Sequence, residues 1–318
     1  MTKKNNWIYT AAAALGAGLS AWAVSKYLRE KREIAEYLGE GSVLIDTARG
    51  PVEAAIQGEG PALLVLHGAG GGYDQGLIAT DPLADEGFQV ISISRPGYLR
   101  TPLETGETPK EQADACAALL DELGIQSVAV AGISAGGPPS IQFALDYPKR
   151  CWGLILISAV NANHPYTYIP LHEQLAYEGV SHADYPLWMF LKAPFLPLLG
   201  GPKIKEQRKM SPEALERLRV TAHTIFPVSL RTEGILNDAK QLQNLEDFRL
   251  NKIKAPTLVI HGDADRLVPF SHGQRSADRI PNADFLPIPG GSHLCYLTHI
   301  EETEPAALKF LKEHAPKK

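Results

Sequence analysis

The chain is poor in cysteine, in charge of one sign and in basic blocks. Three of its 318 residues are cysteine, at 116, 151 and 295. An odd number of widely separated thiols supplies neither a disulfide framework nor a CxxC zinc site. Cys116, Cys151 and Cys295 therefore read as small buried hydrophobes, compatible with a reducing compartment. Lys and Arg total 31 against 36 Asp and Glu, a net charge of -5, and no basic block stands out. That balance offers no counterion-release surface and argues against nucleic acid as a partner. No internal repeat is visible, and no low-complexity tract beyond an Ala-rich N-terminus. At 44% hydrophobic residues the chain carries enough apolar material to exclude long-range disorder. At about 150 residues per domain, its length suits two domains or one large α/β domain with an insertion.

The N-terminus stands apart. Trp7 to Val24 contains 18 residues and no charge; Lys3 and Lys4 precede it, and Lys26, Arg29, Lys31 and Arg32 follow. As a helix it would be about 27 Å long, near the lower limit for a membrane span. The composition fits a retained anchor, or a signal peptide cleaved near Ala23 after the small-x-small end Ala21-Trp22-Ala23. Trp7, Ile8 and Trp22 argue against an ordinary Ala-rich soluble helix. For an anchor, the larger basic count downstream favours a cytoplasmic enzyme domain, though basic residues flank both sides. Lys26 to Glu40 then reads as a charged helical stalk.

After Gly41 the chain turns to short apolar runs cut by Gly and Pro. Residues 42–47 and 52–57 flank Arg49-Gly50-Pro51, a hairpin pattern. A continuous apolar run at 62–66 and largely apolar runs at 90–94, 127–131, 154–157 and 257–260, with 283–288 after them, read as strands, most of them covered on both faces. Helical spacing separates most of them, as over Pro109 to Leu123, which Gly124 stops. This alternation predicts an α/β fold with a mainly parallel sheet. From Val160 to Asn251 there is no buried strand. About 90 residues is far too long for a plain loop, and this interval carries Tyr166, Tyr168, Tyr177, Tyr185, Trp188, Phe190, Phe195 and Phe226. It reads as an inserted helical subdomain. The expected division is 1–40 for the hydrophobic helix and stalk, 41–159 with 252–318 for the core, and 160–251 for the insertion.

Four chemical signals each follow a strand. Gly132-Ile-Ser134-Ala-Gly136 is a G-x-S-x-G pentapeptide between a buried strand and a segment able to be helical. That setting lifts a serine hydroxyl above a sheet edge, with a helix N-terminus behind it. His67-Gly-Ala-Gly-Gly-Gly72 can fold back and aim backbone N–H groups at a developing oxyanion. A phosphate loop would continue with Gly-Lys-Ser/Thr, whereas Tyr73-Asp74 follows here. His67 is expected to brace this loop rather than act as a base. The third and fourth signals are Gly262-Asp263-Ala-Asp265 and Gly290-Gly-Ser-His293. A serine needs a base, and an imidazole base needs a carboxylate to hold its tautomer. The chain order Ser, Asp, His is satisfied with either Asp263 or Asp265 as the acid. His164, His172, His182, His223, His261, His272, His299 and His314 lack trusted metal-ligand spacing, and no metal site is expected.

On these motifs the chain resembles the α/β-hydrolase superfamily over about residues 42–311. The resemblance implies an eight-stranded, mostly parallel sheet flanked by helices, with residues 160–251 as a helical cap. It also implies Ser134 as nucleophile, Asp265 as acid, His293 as general base, and the backbone N–H groups of Ala69 and Ala135 as oxyanion donors. Asp263 then caps its loop. Members with an elbow aspartate form alkyl-carboxylate esters, and Ser134 excludes that chemistry. What remains is a cofactor-free serine hydrolase acting on a carboxylic ester or related acyl compound. C–C bond hydrolases and perhydrolases use the same triad, and some members are non-catalytic binding proteins. The cap aromatics Tyr166, Trp188 and Phe190 are the expected lining for an apolar acyl substrate.

Overall fold

The computed structural model describes residues 6–163, 183–192 and 201–317. It contains two compact units, residues 1–40 and 41–318. The first is one continuous helix, α1 (Asn6–Glu40), with no break between apolar and charged parts. The (i, i+4) pairs Lys26 with Glu30, half-buried, and Arg29 with Glu33 and Arg32 with Glu36, both exposed, support its second half weakly. The side chains of residues 6–19 lie outside those described. Among the described residues no helix is long and apolar enough to cross a membrane, so the membrane-span expectation for residues 7–24 has no structural support.

The second unit is built on eight strands: β1 (Val43–Thr47), β2 (Gly50–Gln57), β3 (Ala62–Leu66), β4 (Gln89–Ile93), β5 (Val128–Ile133), β6 (Cys151–Ile157), β7 (Thr257–Gly262) and β8 (Ala283–Ile288). Their spatial order is β1-β2-β4-β3-β5-β6-β7-β8. The first two join as a hairpin in which Thr47 faces Gly50, and β2 runs antiparallel to β4. All later pairings are parallel. β3 and β5 are buried along their full length because both sheet faces are covered. The period of two divides them cleanly. Leu64, Leu66, Val130 and Leu154 pack with Leu119, Leu120, Ile141 and Phe143 on one side. Leu63, Val65, Ala129 and Ile155 pack with Leu297, Phe310 and Leu311 on the other.

Helices α2 (Tyr73–Asp85), α3 (Pro109–Glu122) and α4 (Gly137–Asp146) alternate with the central strands. Pro109 occupies the first turn of α3, and Thr108 with Glu111 closes a capping box there. Between β6 and β7 the described residues form four helices, α5 (Asp184–Leu191), α6 (Ile204–Gln207), α7 (Pro212–His223) and α8 (Thr232–Gln243). This is the helical cap. The chain closes with α9 (Ser271–Arg279), α10 (Cys295–Thr298) and α11 (Ile300–His314) around β8. The loops after β3, β5, β7 and β8 leave the carboxyl ends of neighbouring parallel strands, where ligands of open α/β sheets gather.

Candidate active site

The turn after β5 is strained at one residue. Ser134 has φ +53°, unusual for a residue with a side chain. Its flanking glycines are there because the chain passes close. A β-carbon at Gly136 would run into the Leu66 carbonyl oxygen and lie 2.7 Å from that of His67. One at Gly132 would lie 2.7 Å from the Gly136 carbonyl oxygen and also meet Ser140. The Ser134 carbonyl accepts the Val160 N–H at 3.0 Å, which fixes the elbow to the end of β6.

Ser134 Oγ lies 2.9 Å from His293 Nε2. His293 Nδ1 lies 2.8 Å from Asp265 Oδ2. With Nδ1–H donating to the carboxylate, Nε2 is the lone-pair nitrogen and accepts the serine proton. Asp265 is held on both oxygens. Its Oδ1 accepts the N–H groups of Leu267 at 2.8 Å and Val268 at 2.9 Å. Its Oδ2 is also 3.3 Å from His261 Nε2. Burial on its own would raise the Asp265 carboxyl; the charge of His293 and the hydrogen bonds from His261 and His293 outweigh it and hold the group far below the ordinary carboxylate range. Asp263 does something else: its Oδ1 accepts the Gly290 N–H at 2.6 Å. Gly291, whose carbonyl accepts Ala264 N–H at 3.0 Å, joins the aspartate loop to the histidine loop.

The glycine loop after β3 lies against the elbow. A β-carbon at Gly68 would come within 3.2 Å of Ser134 Cβ. Within the loop, Gly71 N–H donates to Gly68 O at 3.2 Å and Gly70 N–H to Tyr98 Oη at 3.4 Å. Ala69 N–H is left without an acceptor among the described residues. Ala135 follows Ser134 within the short helical turn Ser134–Gly136. His67 is fully buried and braces the loop as expected. The Arg95 N–H donates to its Nε2 at 3.0 Å, so the ring proton sits on Nδ1, which donates to Gly68 O at 2.6 Å. Burial, aided by the Arg95 charge, pushes the His67 pKa well below its usual value and keeps the ring neutral.

Among the described residues, the buried cluster beside the elbow is aliphatic. Ala135, Val160, Leu242 and Val268 form a buried cluster with Ala69 and Leu245 packed on it. Leu242 comes from α8 and Leu245 from the segment after it. Trp188 is buried in α5, where it stacks on Tyr185 with 5.8 Å between ring centroids and has Lys192 Nζ over its face. Neither Trp188 nor Phe190 joins the cluster at the elbow, and Tyr166 lies outside the described residues. Two side chains had no distinct signal in the sequence. His261 ends β7 among many unremarkable histidines, and Leu242 is one apolar position on an amphipathic helix. The three thiols are buried, and burial pushes the Cys116, Cys151 and Cys295 pKa values up to about 12. Among the described residues no cluster of three or more His, Cys, Asp or Glu could hold a metal ion.

A serine at a strained strand-to-helix elbow, with histidine and aspartate from later loops of one parallel sheet, defines the class of hydrolytic α/β enzymes. The chain belongs to the alpha/beta hydrolase family, whose model matches residues 63–307. It is 30% identical to the uncharacterized hydrolase YcgS of Bacillus subtilis, over 83% of this chain and 95% of that protein. It is also 30% identical to a 2-hydroxy-6-oxononadienedioate/2-hydroxy-6-oxononatrienedioate hydrolase of Burkholderia vietnamiensis, over 79% of this chain and 87% of that one. Among solved structures, an alpha/beta hydrolase fold protein from Nakamurella multipartita matches with a TM-score of 0.71 and 28% identity, covering 85% of this chain and 99% of its own.

Proposed function

We propose that this hydrolase cleaves carboxylic esters with an uncharged, aliphatic acyl group through Ser134, His293 and Asp265. The observation that carries the reading is the Ser134–His293–Asp265 relay, with contacts of 2.9 and 2.8 Å, beside a wall of Val160, Leu242 and Val268. His293 Nε2 takes the Ser134 proton as Oγ attacks the carbonyl carbon. The oxyanion forms beside the N–H groups of Ala69 and Ala135, donors worth roughly 10²- to 10³-fold in rate each. Collapse expels the alcohol, protonated by His293, and leaves an acyl-enzyme. Water, deprotonated by the same imidazole, then releases the acid and restores Ser134.

A second reading, C–C bond cleavage, is favoured by the likeness to the dienedioate hydrolase. The charge inventory weighs against it. A dioate brings two carboxylates that need cationic partners. Among the described residues, the two arginines that reach the glycine loop are already paired, Arg95 with Asp238 and Arg231 with Asp74. The test sets p-nitrophenyl esters of increasing chain length against a 2-hydroxy-6-oxo-dienedioate. Faster turnover of neutral esters supports the first reading. Turnover of the dienedioate with kcat/KM above that of every ester would replace it with the second.

A further inference from the structure

The cap is tied to the glycine loop through buried charge. Asp238 on α8 is 4% exposed, Arg95 after β4 1%, and Tyr98 is fully buried. Arg95 Nη1 and Nη2 donate to the two Asp238 oxygens at 2.9 and 2.5 Å, a bidentate pair. Tyr98 Oη donates to Asp238 Oδ2 at 2.5 Å. Each partner of Asp238 then reaches the glycine loop. Arg95 Nε donates to the His67 carbonyl at 2.8 Å, and its backbone N–H to His67 Nε2. Tyr98 Oη accepts the Gly70 N–H, the longest contact of the set at 3.4 Å. Ala69 thus sits between two residues, His67 and Gly70, whose placement runs back to one carboxylate on the cap.

The supporting backbone is built for this contact. One backbone hydrogen bond crosses the gap, from Gly234 N–H to Gly97 O at 2.8 Å. A β-carbon at Gly97 would lie 2.7 Å from Gly234 N, and one at Gly234 would run into the Tyr98 ring. Leu99 holds φ +51°, and its N–H donates to the cap carbonyl of Leu230 at 2.7 Å. A strained residue persists where its surroundings over-determine it. Arg231, also from the cap, donates to the Gly71 carbonyl at 2.7 Å on the far side of Ala69.

We propose that Asp238 is a positioning residue for the oxyanion hole: acting through Arg95 and Tyr98, this cap carboxylate sets the direction of the Ala69 N–H. The inference rests on the serine-hydrolase reading above. It makes cap helix α8 part of the catalytic frame, so substrate cannot enter by lifting this side of the cap without dismantling the oxyanion donor.

The experiment uses the full chain with Tyr98→Phe and Asp238→Asn. A fluorophosphonate titrates reactive Ser134, and kcat is expressed per titrated site with p-nitrophenyl butyrate. An alkyl boronic acid, which forms an anionic tetrahedral adduct on the serine, reports oxyanion binding. Tyr98→Phe lowers kcat per site by about 10-fold and Asp238→Asn by more, with KM within twofold and boronate affinity falling in parallel. If Asp238→Asn does not fold, Tyr98→Phe decides, because it removes a hydroxyl and leaves the Arg95–Asp238 pair. Unchanged kcat per site and boronate affinity, with only a lower melting temperature or a smaller titratable fraction, overturns the proposal and makes the cluster a structural tie. A wild-type enzyme that neither titrates nor turns over esters would instead bring down the serine-hydrolase reading and this inference with it.

Discussion

His261 and His293 converge on a single oxygen of Asp265, at 3.3 and 2.8 Å. The His261 imidazole also approaches the Val268 carbonyl at 3.0 Å, and its Nδ1 has no partner among the described residues. Nε2 therefore carries the proton and shares it between Val268 O and the carboxylate. His261→Phe removes one of the four donors to Asp265 while filling a similar volume. The expected result is a loss of about 10-fold in kcat, well short of that for Asp265→Asn. An unchanged kcat for His261→Phe would show that the backbone donors and His293 suffice to orient the acid.

Ser134→Ala leaves the elbow in place and removes the proposed nucleophile. Ester turnover falls by roughly 10⁴- to 10⁶-fold, and fluorophosphonate labelling disappears. Circular dichroism and melting temperature stay close to wild type, since a hydroxyl at the carboxyl end of β5 supports no core packing. Near-normal turnover by a contamination-free preparation would move the nucleophile elsewhere.

The two aspartates of the β7 loop separate by geometry. Asp265 faces His293, while Asp263 accepts Gly290 N–H at 2.6 Å. Asp265→Asn reverses one donor–acceptor contact to the imidazole and costs roughly 10²-fold or more in activity beyond Asp263→Asn. Parallel kinetics of both variants decide it; equal losses would show that loop stability, not imidazole orientation, is what either carboxylate contributes.

The architecture was legible where local pattern and burial agree. Apolar runs marked the strands because a parallel sheet covered by helices hides both faces, and Gly132 and Gly136 marked the elbow because neighbouring carbonyls leave no room for a β-carbon. The site's frame was less legible. Arg95 and Asp238 stand 143 positions apart, and nothing in either segment announces a buried pair. The aliphatic cluster beside Ser134 was illegible for a related reason. Aromatic richness is local, whereas which residues of the cap pack near Ser134 depends on tertiary packing, and among the described residues Leu242 is one of them.

Leu242 gives that cluster a measurable consequence. Leu242→Ala removes aliphatic contact on the cap side of the elbow and opens space. At about 0.8 kcal/mol per buried methylene, each added acyl carbon that fills this space is worth roughly fourfold in kcat/KM. The optimum on a chain-length series of p-nitrophenyl esters shifts to longer chains by one or two carbons, and Leu242→Trp shifts it the other way. Identical profiles for all three proteins would remove Leu242 from the acyl site.

Buried neutral His67 couples stability to pH. Its folded-state pKa is depressed by burial and by Arg95, so the unfolded chain takes up a proton near pH 6.5 that the folded chain refuses. The contribution is complete above that pH and is lost as pH falls toward the folded value. Between pH 6.5 and 5 this single group removes about 1.4 kcal/mol per pH unit at most. His67→Gln keeps an acceptor for Arg95 N–H and cannot titrate. Its melting temperature should start below that of wild type at pH 8, because Gln braces Gly68 less well, and then decline less steeply toward pH 5. Parallel slopes for the two proteins would show that His67 is protonated within the folded enzyme.

The final prediction concerns residues 1–40. Every strand lies after Gly41, as do Ser134, Asp265, His293 and the glycine loop, and the two units are separately compact. Helix α1 contributes no strand to the sheet and no residue to the relay, so its removal leaves both complete. A protein beginning at Gly41 should fold cooperatively and hydrolyse p-nitrophenyl esters with kcat and KM within about twofold of the full chain, changes too small to reflect a lost catalytic contact. Thermal unfolding followed by circular dichroism, with active-site titration of both forms, makes the comparison per functional site. A truncated form that titrates fully but has a raised KM would give the helix a part in substrate capture. A truncated form that fails to fold would place residues 1–40 within the hydrolase domain.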